Sequence, residues 1–189
     1  MRSDFRRVLK SATREDHARL DARMSAIDLR VADGFVRFLS IHLGCFRQMR
    51  GLAAPRTLTW QSLDDMVQAL EADLASMGAA PAPAVSCDAK RADGLAMDYV
   101  IEGSRLGTKV LRRNWLGASD PAVRRASAYF SLVPTPGRWH EICEKLSELP
   151  ADGARARAII EDTRMLFSLF YTAVCAPVSD HHEGKELAS

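Results

Sequence analysis

Apolar residues recur every three or four positions along almost the whole chain, the spacing that places them on one face of an α-helix. No alternating strand pattern and no internal repeat competes with this interpretation. The predicted helices cover roughly residues 4–29, 33–52, 59–77, 88–116, 120–132, 139–146 and 153–176. The sequence therefore predicts an all-α fold.

Residues that start or stop helices separate these segments. Ser3 or Asp4 can cap the first helix, and Pro55 ends the second. Gly78 closes the third helix, and the segment AAPAPAVS at 79–86 follows it. We interpret this segment as a loop within one domain.

The composition is that of a single globular domain. The chain has 189 residues, 47% of them apolar, which suffices for one buried core and is too short for two. We expect the domain to span residues 1–176 and the polar tail, 177–189, to be disordered. A net charge of +2 is too small to indicate a nucleic-acid partner.

The sequence also predicts a cellular location and the state of the cysteines. No run of about 18 apolar residues is present and the N-terminal segment is charged throughout, so we expect no membrane span, no signal peptide and a cytoplasmic protein. The four cysteines are widely separated and form no C-x-x-C pair, which predicts reduced thiols rather than a disulfide or a zinc site. Cys45, Cys143 and Cys175 fall in apolar helical stripes, and we expect them in the core.

Lys10, Thr13 and His17 lie on one side of the first predicted helix. Imidazole is a good iron ligand, and a lysine roughly 10 Å earlier along the axis can reach the carboxylate edge of a planar ligand centred on that imidazole. Haem has this shape and charge. The alternative is a histidine that is merely hydrogen-bonded, which is the more common role. His42, in an equally apolar stripe without a basic partner, is interpreted as a core residue.

Gly103 and Gly107 lie four residues apart in a predicted helix, so both face the same way and leave a patch of bare backbone. A flat ligand can lie against such a patch, although close packing against another helix is the more common explanation. Lys109, Arg112 and Arg113 follow. They form either a solvated face or a docking surface for an acidic redox partner.

Two of these segments together resemble the haem oxygenase family. The run LKSATREDHARLD around His17 matches the family pattern L-K-x-A-T-x-x-x-H, and YVIEGSRLGTKVL around Gly103 is similar to the family's glycine-containing distal helix. Their order and separation match as well. The resemblance extends weakly over most of the chain, including AIIEDTRMLFSLFYTAV, and is strongest with the bacterial haem oxygenases that accompany phytochromes.

The resemblance implies a helical fold that holds haem, both cofactor and substrate, between a proximal and a distal helix. Molecular oxygen then opens the ring to biliverdin, ferrous iron and carbon monoxide. Matching positions make His17 the proximal iron ligand, Lys10 a propionate partner and Thr13 a neighbour on the proximal face. Gly103 and Gly107 become the distal backbone that tolerates the macrocycle and limits the position of bound oxygen.

Other positions match the family less closely. Phe167 matches an aromatic wall position, and Tyr99 lies near a family tyrosine. Ser104, on the catalytic distal face, stands where the best-known members have an aspartate that organises water for proton delivery, and Thr108 replaces a second glycine. A hydroxyl cannot act as an acid near neutral pH, so we expect protons to be delivered differently here.

The resemblance and the motifs leave partners and alternatives to be tested. The chain has no nucleotide fingerprint such as G-x-G-x-x-G, so we expect electrons from a separate ferredoxin or reductase. A bacterial phytochrome is a candidate acceptor of the biliverdin. One alternative is a haem carrier or sensor without productive turnover, favoured by Ser104 and Thr108. Another is a thiamin-degrading enzyme, which needs a nucleophilic thiol. Cys45 and Cys143 lie in apolar helical stripes without an evident base, which disfavours this alternative.

Overall fold

Nine helices make up most of residues 4–80, 85–89 and 91–177, the parts of the chain described by a computed structural model. They are α1 (Phe5–Ala12), α2 (Arg14–Met24), α3 (Ala32–Leu52), α4 (Leu58–Ser76), α5 (Gly94–Leu116), α6 (Pro121–Arg125), α7 (Ala128–Ser131), α8 (Arg138–Glu148) and α9 (Ala154–Cys175). These described ranges contain no strand, and the predicted all-α fold is confirmed. Residues 81–84 of the predicted loop and 178–189 of the predicted tail lie outside them.

The first predicted helix, expected to run to about residue 29, is in fact two helices. Thr13 separates α1 from α2 with φ −108° and ψ 4°. Its hydroxyl donates to the carbonyl of Leu9 at 2.9 Å, a bond of the kind that bends helices. After Met24 the chain leaves the helix and turns toward α5, where the amide of Leu29 donates to the side chain of Asn114 at 3.2 Å.

The fourth predicted helix starts later than expected. α5 begins at Gly94 rather than near residue 88. Asp93 fixes this start, because its carboxylate accepts a hydrogen bond from the amide of Leu95 at 2.8 Å and so caps the helix.

The helix predicted over 120–132 is split into α6 and α7. The buried carboxylate of Asp73 on α4 accepts hydrogen bonds from the amides of Ala128 and Tyr129 at 2.8 and 2.9 Å. A carboxylate at this place satisfies the free amides of a new helix, so α7 starts separately. Asp73 is far from α7 in the sequence, and the local pattern of residues 120–132 therefore predicts one helix.

Two apolar clusters fill the interior. The larger is built mainly by α3, α4 and α9, with members that include Phe35, Phe38, Met49, Leu63, Leu70 and Leu166. The smaller joins α1 and α8 to the first turns of α5 and α9, through Phe5, Leu9, Ala96, Ile142, Leu146, Ala156 and Ile159. α9 takes part in both clusters and packs against α2 and α5. Because α1, α2 and α5 all pack against α9, these three helices lie close to one another.

The cysteines follow the prediction in part. Cys45 and Cys143 are buried, Cys87 is half-buried, and all four thiols are free. Cys175 is exposed, which corrects the expectation that it lies in the core. It is the last residue of α9. Within the described ranges, no helix has the length and apolar character needed to cross a bilayer.

Candidate functional site

A cavity of about 990 Å³ lies between α1 and α2 on one side and α5 on the other, with α3 and α9 completing its wall. This volume is at the upper end of the range of about 300–1,000 Å³ that is usual for small-molecule sites. The predicted site residues Lys10, Thr13, His17, Tyr99, Gly103, Ser104, Gly107 and Phe167 all line it. Motifs that are far apart in the sequence thus meet in one site.

The cavity has a basic, solvent-exposed border along α1 and the start of α2, and we refer to it as the mouth. Four exposed cations line it: Arg6, Arg7, Lys10 and Arg14. Two acidic side chains, Asp4 and Asp21, also line the cavity, so an excess of positive charge remains. The mouth suits the anionic groups of a ligand.

His17 presents its ring to the cavity from α2. Its side chain is 55% exposed, and its Nδ1 lies 3.0 Å from Oδ2 of Asp21, one turn later. Phe167 of α9 packs edge-on against the imidazole, with ring centroids 5.4 Å apart and an interplanar angle of 77°. Because Nδ1 is directed at a carboxylate, Nε2 is the nitrogen left for a ligand or a metal.

Gly103 and Gly107 leave the α5 wall of the cavity bare. A Cβ atom at Gly107 would have no heavy atom within 4 Å, and one at Gly103 would meet the Trp139 ring at 3.6 Å, which is ordinary contact. Close packing of Gly107 against another helix is therefore not seen within the described residues. Its backbone borders open space in the cavity instead.

The hydroxyl groups near these glycines differ in what they offer a ligand. The Ser104 hydroxyl donates to the carbonyl of Ile101 at 2.7 Å, so its proton is used within the helix. Toward the cavity the Ser104 oxygen can only accept a hydrogen bond. The Thr108 hydroxyl donates to the carbonyl of Ser104 at 3.2 Å. Tyr99 packs on Trp139, with centroids 5.7 Å apart, and burial raises the pKa of its phenol. Tyr99 therefore keeps its proton at neutral pH.

Where α3 and α9 line the cavity, its wall is buried and aromatic, and we refer to this part as the inner end. Phe46, Phe167, Phe170 and His42 line it, with exposed fractions of 2%, 6%, 6% and 8%. The prediction that His42 is buried in the core is confirmed, but His42 also faces the cavity. Its Nδ1 lies 2.9 Å from the carbonyl of Phe38, and burial lowers its pKa to about 4, so the ring is neutral at physiological pH.

Sequence reasoning missed two kinds of cavity residue. The arginines of the mouth had a signal, because Arg6 and Arg14 lie four residues either side of Lys10 on the same helical face. No signal in the sequence places Trp139 and Phe170 in the cavity. They come from α8 and α9, and the spacing of residues within one helix does not tell how that helix is rotated against its neighbours.

Neither buried cysteine is placed to act as a nucleophile. Cys45 and Cys143 are not among the residues that line the cavity. Burial raises the pKa of both thiols, which disfavours the reactive thiolate. The thiol-dependent alternative therefore has no support in this site.

The comparison with known proteins gives one relative to report. A curated protein named "Heme oxygenase" from Xanthomonas campestris pv. campestris (strain 8004) is 36% identical to this chain over 116 residues. The match covers 58% of this chain and 67% of that protein. No family model matches the chain.

Proposed function

The chain belongs to the haem oxygenase family, and from that premise we propose that it opens the haem ring with molecular oxygen and external electrons, releasing biliverdin, ferrous iron and carbon monoxide. One observation carries the proposal: a single cavity combines His17, a basic mouth and the bare backbone of Gly107. Haem in this cavity would be sandwiched between α2 and α5. Haem supplies the iron and the ring that is opened, and the residues of the chain bind and orient it.

We assign the iron ligand to Nε2 of His17. The Asp21 carboxylate, 3.0 Å from Nδ1, favours the tautomer with its proton on Nδ1 and makes Nε2 a better electron donor. Phe167, edge-on to the ring, limits its rotation. The ligand is thus oriented before haem arrives, which lowers the entropic cost of binding.

The two ends of the cavity set the direction in which haem enters. The cations of the mouth, Lys10 among them, suit the two propionates. The inner end, with Phe46 and Phe170, suits the opposite edge of the ring, which carries only methyl and vinyl groups. In this orientation the propionates stay near solvent, and the opposite edge of the macrocycle lies against buried aromatic side chains.

The α5 wall forms the catalytic face in this proposal. The backbone of Gly103 and Gly107 lies close to the macrocycle, with Ser104 between them. Because the Ser104 proton is bonded to the Ile101 carbonyl, we assign proton supply to water entering at the mouth. Thr13 lines the cavity on the side of His17.

External electrons and a product acceptor complete the proposed reaction. Lys109, Arg112 and Arg113 are exposed on α5 beside the cavity, where they suit an acidic ferredoxin or reductase. We propose a cytoplasmic location and, following the sequence resemblance, a bacterial phytochrome as the acceptor of biliverdin. Co-purification of bilin with such a phytochrome tests whether the phytochrome accepts the biliverdin.

Haem titration of the wild type and of His17→Ala tests the proposal. We expect the variant to bind haem more weakly and to shift the Soret band, because the iron loses its protein ligand. His140→Ala is the matched control, since His140 is an exposed histidine of α8 that pairs with Glu144 at 3.2 Å and does not line the cavity. An unchanged Soret band and affinity in His17→Ala would show that the ligand is assigned wrongly.

A second candidate function is a haem carrier or sensor, favoured by the engaged hydroxyl of Ser104. Adding a reductant and oxygen to the haem complex separates the two. An enzyme loses its Soret band while bilin absorbance appears, whereas a carrier keeps a stable haem spectrum.

A further inference from the structure

The break at Thr13 divides the segment that carries His17, and the two sides of the break are anchored in different places. α1 is held in the smaller apolar cluster through Phe5 and Leu9. α2 is held in the larger cluster through Leu20. The Thr13 hydroxyl donates only back to Leu9 of α1. Neither cluster alone therefore sets the angle between the two helices.

The angle at this break matters for any ligand of a metal on α2. His17 lies four residues after Thr13, which is about 6 Å along the helix axis, so a rotation of α2 by about 10° at the break moves it by about 1 Å. Metal–ligand bond lengths vary by only about 0.2 Å. The angle must therefore be held if His17 is to meet iron in one geometry.

Arg164 of α9 contacts both sides of the break. Its Nε and Nη2 donate to the carbonyl of Ala12, the last residue of α1, at 3.2 and 2.8 Å. Its Nε also lies 3.6 Å from Oδ2 of Asp16, in the first turn of α2. The last carbonyls of a helix have no amide partner within it and carry partial negative charge, so a guanidinium is well suited to this place.

The neighbours of Arg164 along α9 contact the same part of α2. Phe167, three residues later, packs edge-on against the His17 ring. Tyr171, four residues further on, has the guanidinium carbon of Arg19 at 5.4 Å from its ring centroid. Residues three and four apart lie on one face of a helix. A single face of α9 thus contacts the His17 ring and the chain on both sides of it.

We propose that Arg164 is a positioning residue for the iron ligand: by joining Ala12 to Asp16 across the break, it fixes the angle of α2 and so the direction from which Nε2 of His17 approaches haem. The inference rests on the proposed function, because it takes His17 as the ligand. Arg164 does not line the cavity, so it acts through the backbone and not by touching haem. Without it, α2 samples several angles, and the fraction of molecules ready to bind haem falls.

Arg164→Ala and a matched control, Arg157→Ala, test this inference. Arg157 is also an exposed arginine of α9 outside the cavity, and it donates to a backbone carbonyl away from the break, that of Asp152 at 2.7 Å. In resonance Raman spectra of the ferrous haem complexes, the wild type and Arg157→Ala should give one sharp iron–histidine stretching band. Arg164→Ala should give a broadened or split band, and its dissociation constant for haem should rise about two- to fivefold, as expected when one hydrogen bond no longer favours the competent state.

A second measurement needs no haem. The amides of Thr13 and His17 donate to the carbonyls of Leu9 and Thr13, both at 3.0 Å, and report on the break itself. Hydrogen exchange followed by NMR in the ligand-free protein should show both amides exchanging at least about twofold faster in Arg164→Ala than in the wild type, with no such change in Arg157→Ala. The slowest amides of α3 report global unfolding, so they separate a local effect from a general loss of stability.

The outcomes separate this inference from the proposed function. If the wild type fails to bind haem, or if His17→Ala binds it as the wild type does, the ligand assignment is wrong and the inference is overturned with it. If His17 is the ligand but Arg164→Ala keeps the sharp band and the haem affinity of Arg157→Ala, only the positioning inference is overturned. Equally accelerated exchange at the break and in α3 also overturns it, because Arg164 would then support only the fold as a whole.

Discussion

The cations at the mouth act on a ligand through charge and not through shape. Each is exposed, so water screens it and the contribution of any one is modest. Lys10→Ala should weaken haem binding about two- to fivefold, the range typical of a solvent-exposed ion pair. Haem dimethyl ester lacks the carboxylates, so the variant and the wild type should bind it equally. Fluorescence-quenching titrations with both ligands measure the difference.

Arg23→Ala is the control for this prediction. Arg23 is an exposed cation of α2 that does not line the cavity, so its removal should leave both affinities unchanged. A loss of ester binding in Lys10→Ala equal to the loss of haem binding would contradict a role in pairing with propionates.

The sequence predicts residues of the site well when they lie within a few helical turns of one another, even though Thr13 divides this predicted helix into α1 and α2. Lys10 and His17 could be placed on one face from their spacing alone, and the same rule would have added Asp21, one turn after His17. His42 was predicted to be buried, but its place in the cavity wall beside Phe170 of another helix could not be predicted from its own helix. Contacts between helices of this kind have no pattern within one segment.

At the scale of elements, Gly107 lowers the stability of α5 but leaves space in the cavity. Glycine inside a helix costs about 0.5–1 kcal/mol relative to alanine, and a Cβ atom at Gly107 would meet nothing within 4 Å. Gly107→Ala should therefore raise the free energy of unfolding of the ligand-free protein by about that amount in urea titrations. Gly107→Leu should instead fill the cavity and reduce haem binding, measured by the Soret band.

Gly51→Ala provides the comparison, because Gly51 lies in α3 with equally free space and outside the cavity. It should gain stability without any change in haem binding. Unimpaired haem binding by Gly107→Leu would mean that the macrocycle does not lie against this part of α5.

The helices themselves were predictable from periodicity, but some of their ends were not. A break at Thr13 arises from a hydroxyl bond to the preceding turn, which many helical threonines make without ending a helix. The split between α6 and α7 depends on Asp73, which belongs to α4. Caps supplied by a distant element leave no trace in the local sequence.

Asp73 therefore makes a testable contribution to the fold. Asp73→Ala removes the acceptor for the amides of Ala128 and Tyr129, and leaving such buried donors unpaired costs about 1–3 kcal/mol. Urea unfolding should show this loss. Asp65→Ala, an exposed aspartate of the same helix, should change the free energy of unfolding by less than about 0.5 kcal/mol. Equal effects of the two substitutions would exclude a capping role for Asp73.

At the scale of the whole molecule, buried charges hold the α5 wall in place. Asp98 of α5 accepts hydrogen bonds from Arg138 of α8 at 2.6 Å and from Thr59 of α4 at 2.8 Å. Glu102, one turn later on α5, is also buried, and burial raises its pKa. These contacts join α5 to helices of both apolar clusters. The shape of the cavity thus depends on ion pairs that do not belong to its mouth.

Removing Arg138 should destabilise the entire fold, and the loss should depend on pH. Arg138→Leu leaves the buried Asp98 carboxylate without its cation, which costs about 3–5 kcal/mol at neutral pH. A buried carboxyl without its cation has a pKa above that of the unfolded chain, so the folded state takes up a proton more readily and the destabilisation shrinks as pH falls from about 8 to about 5. Urea unfolding of the variant and the wild type across this range measures the difference, and the double variant with Asp98→Leu should recover part of the loss. A difference that stays constant with pH would mean that the leucine disturbs packing and that the unpaired Asp98 carboxylate is not its cause.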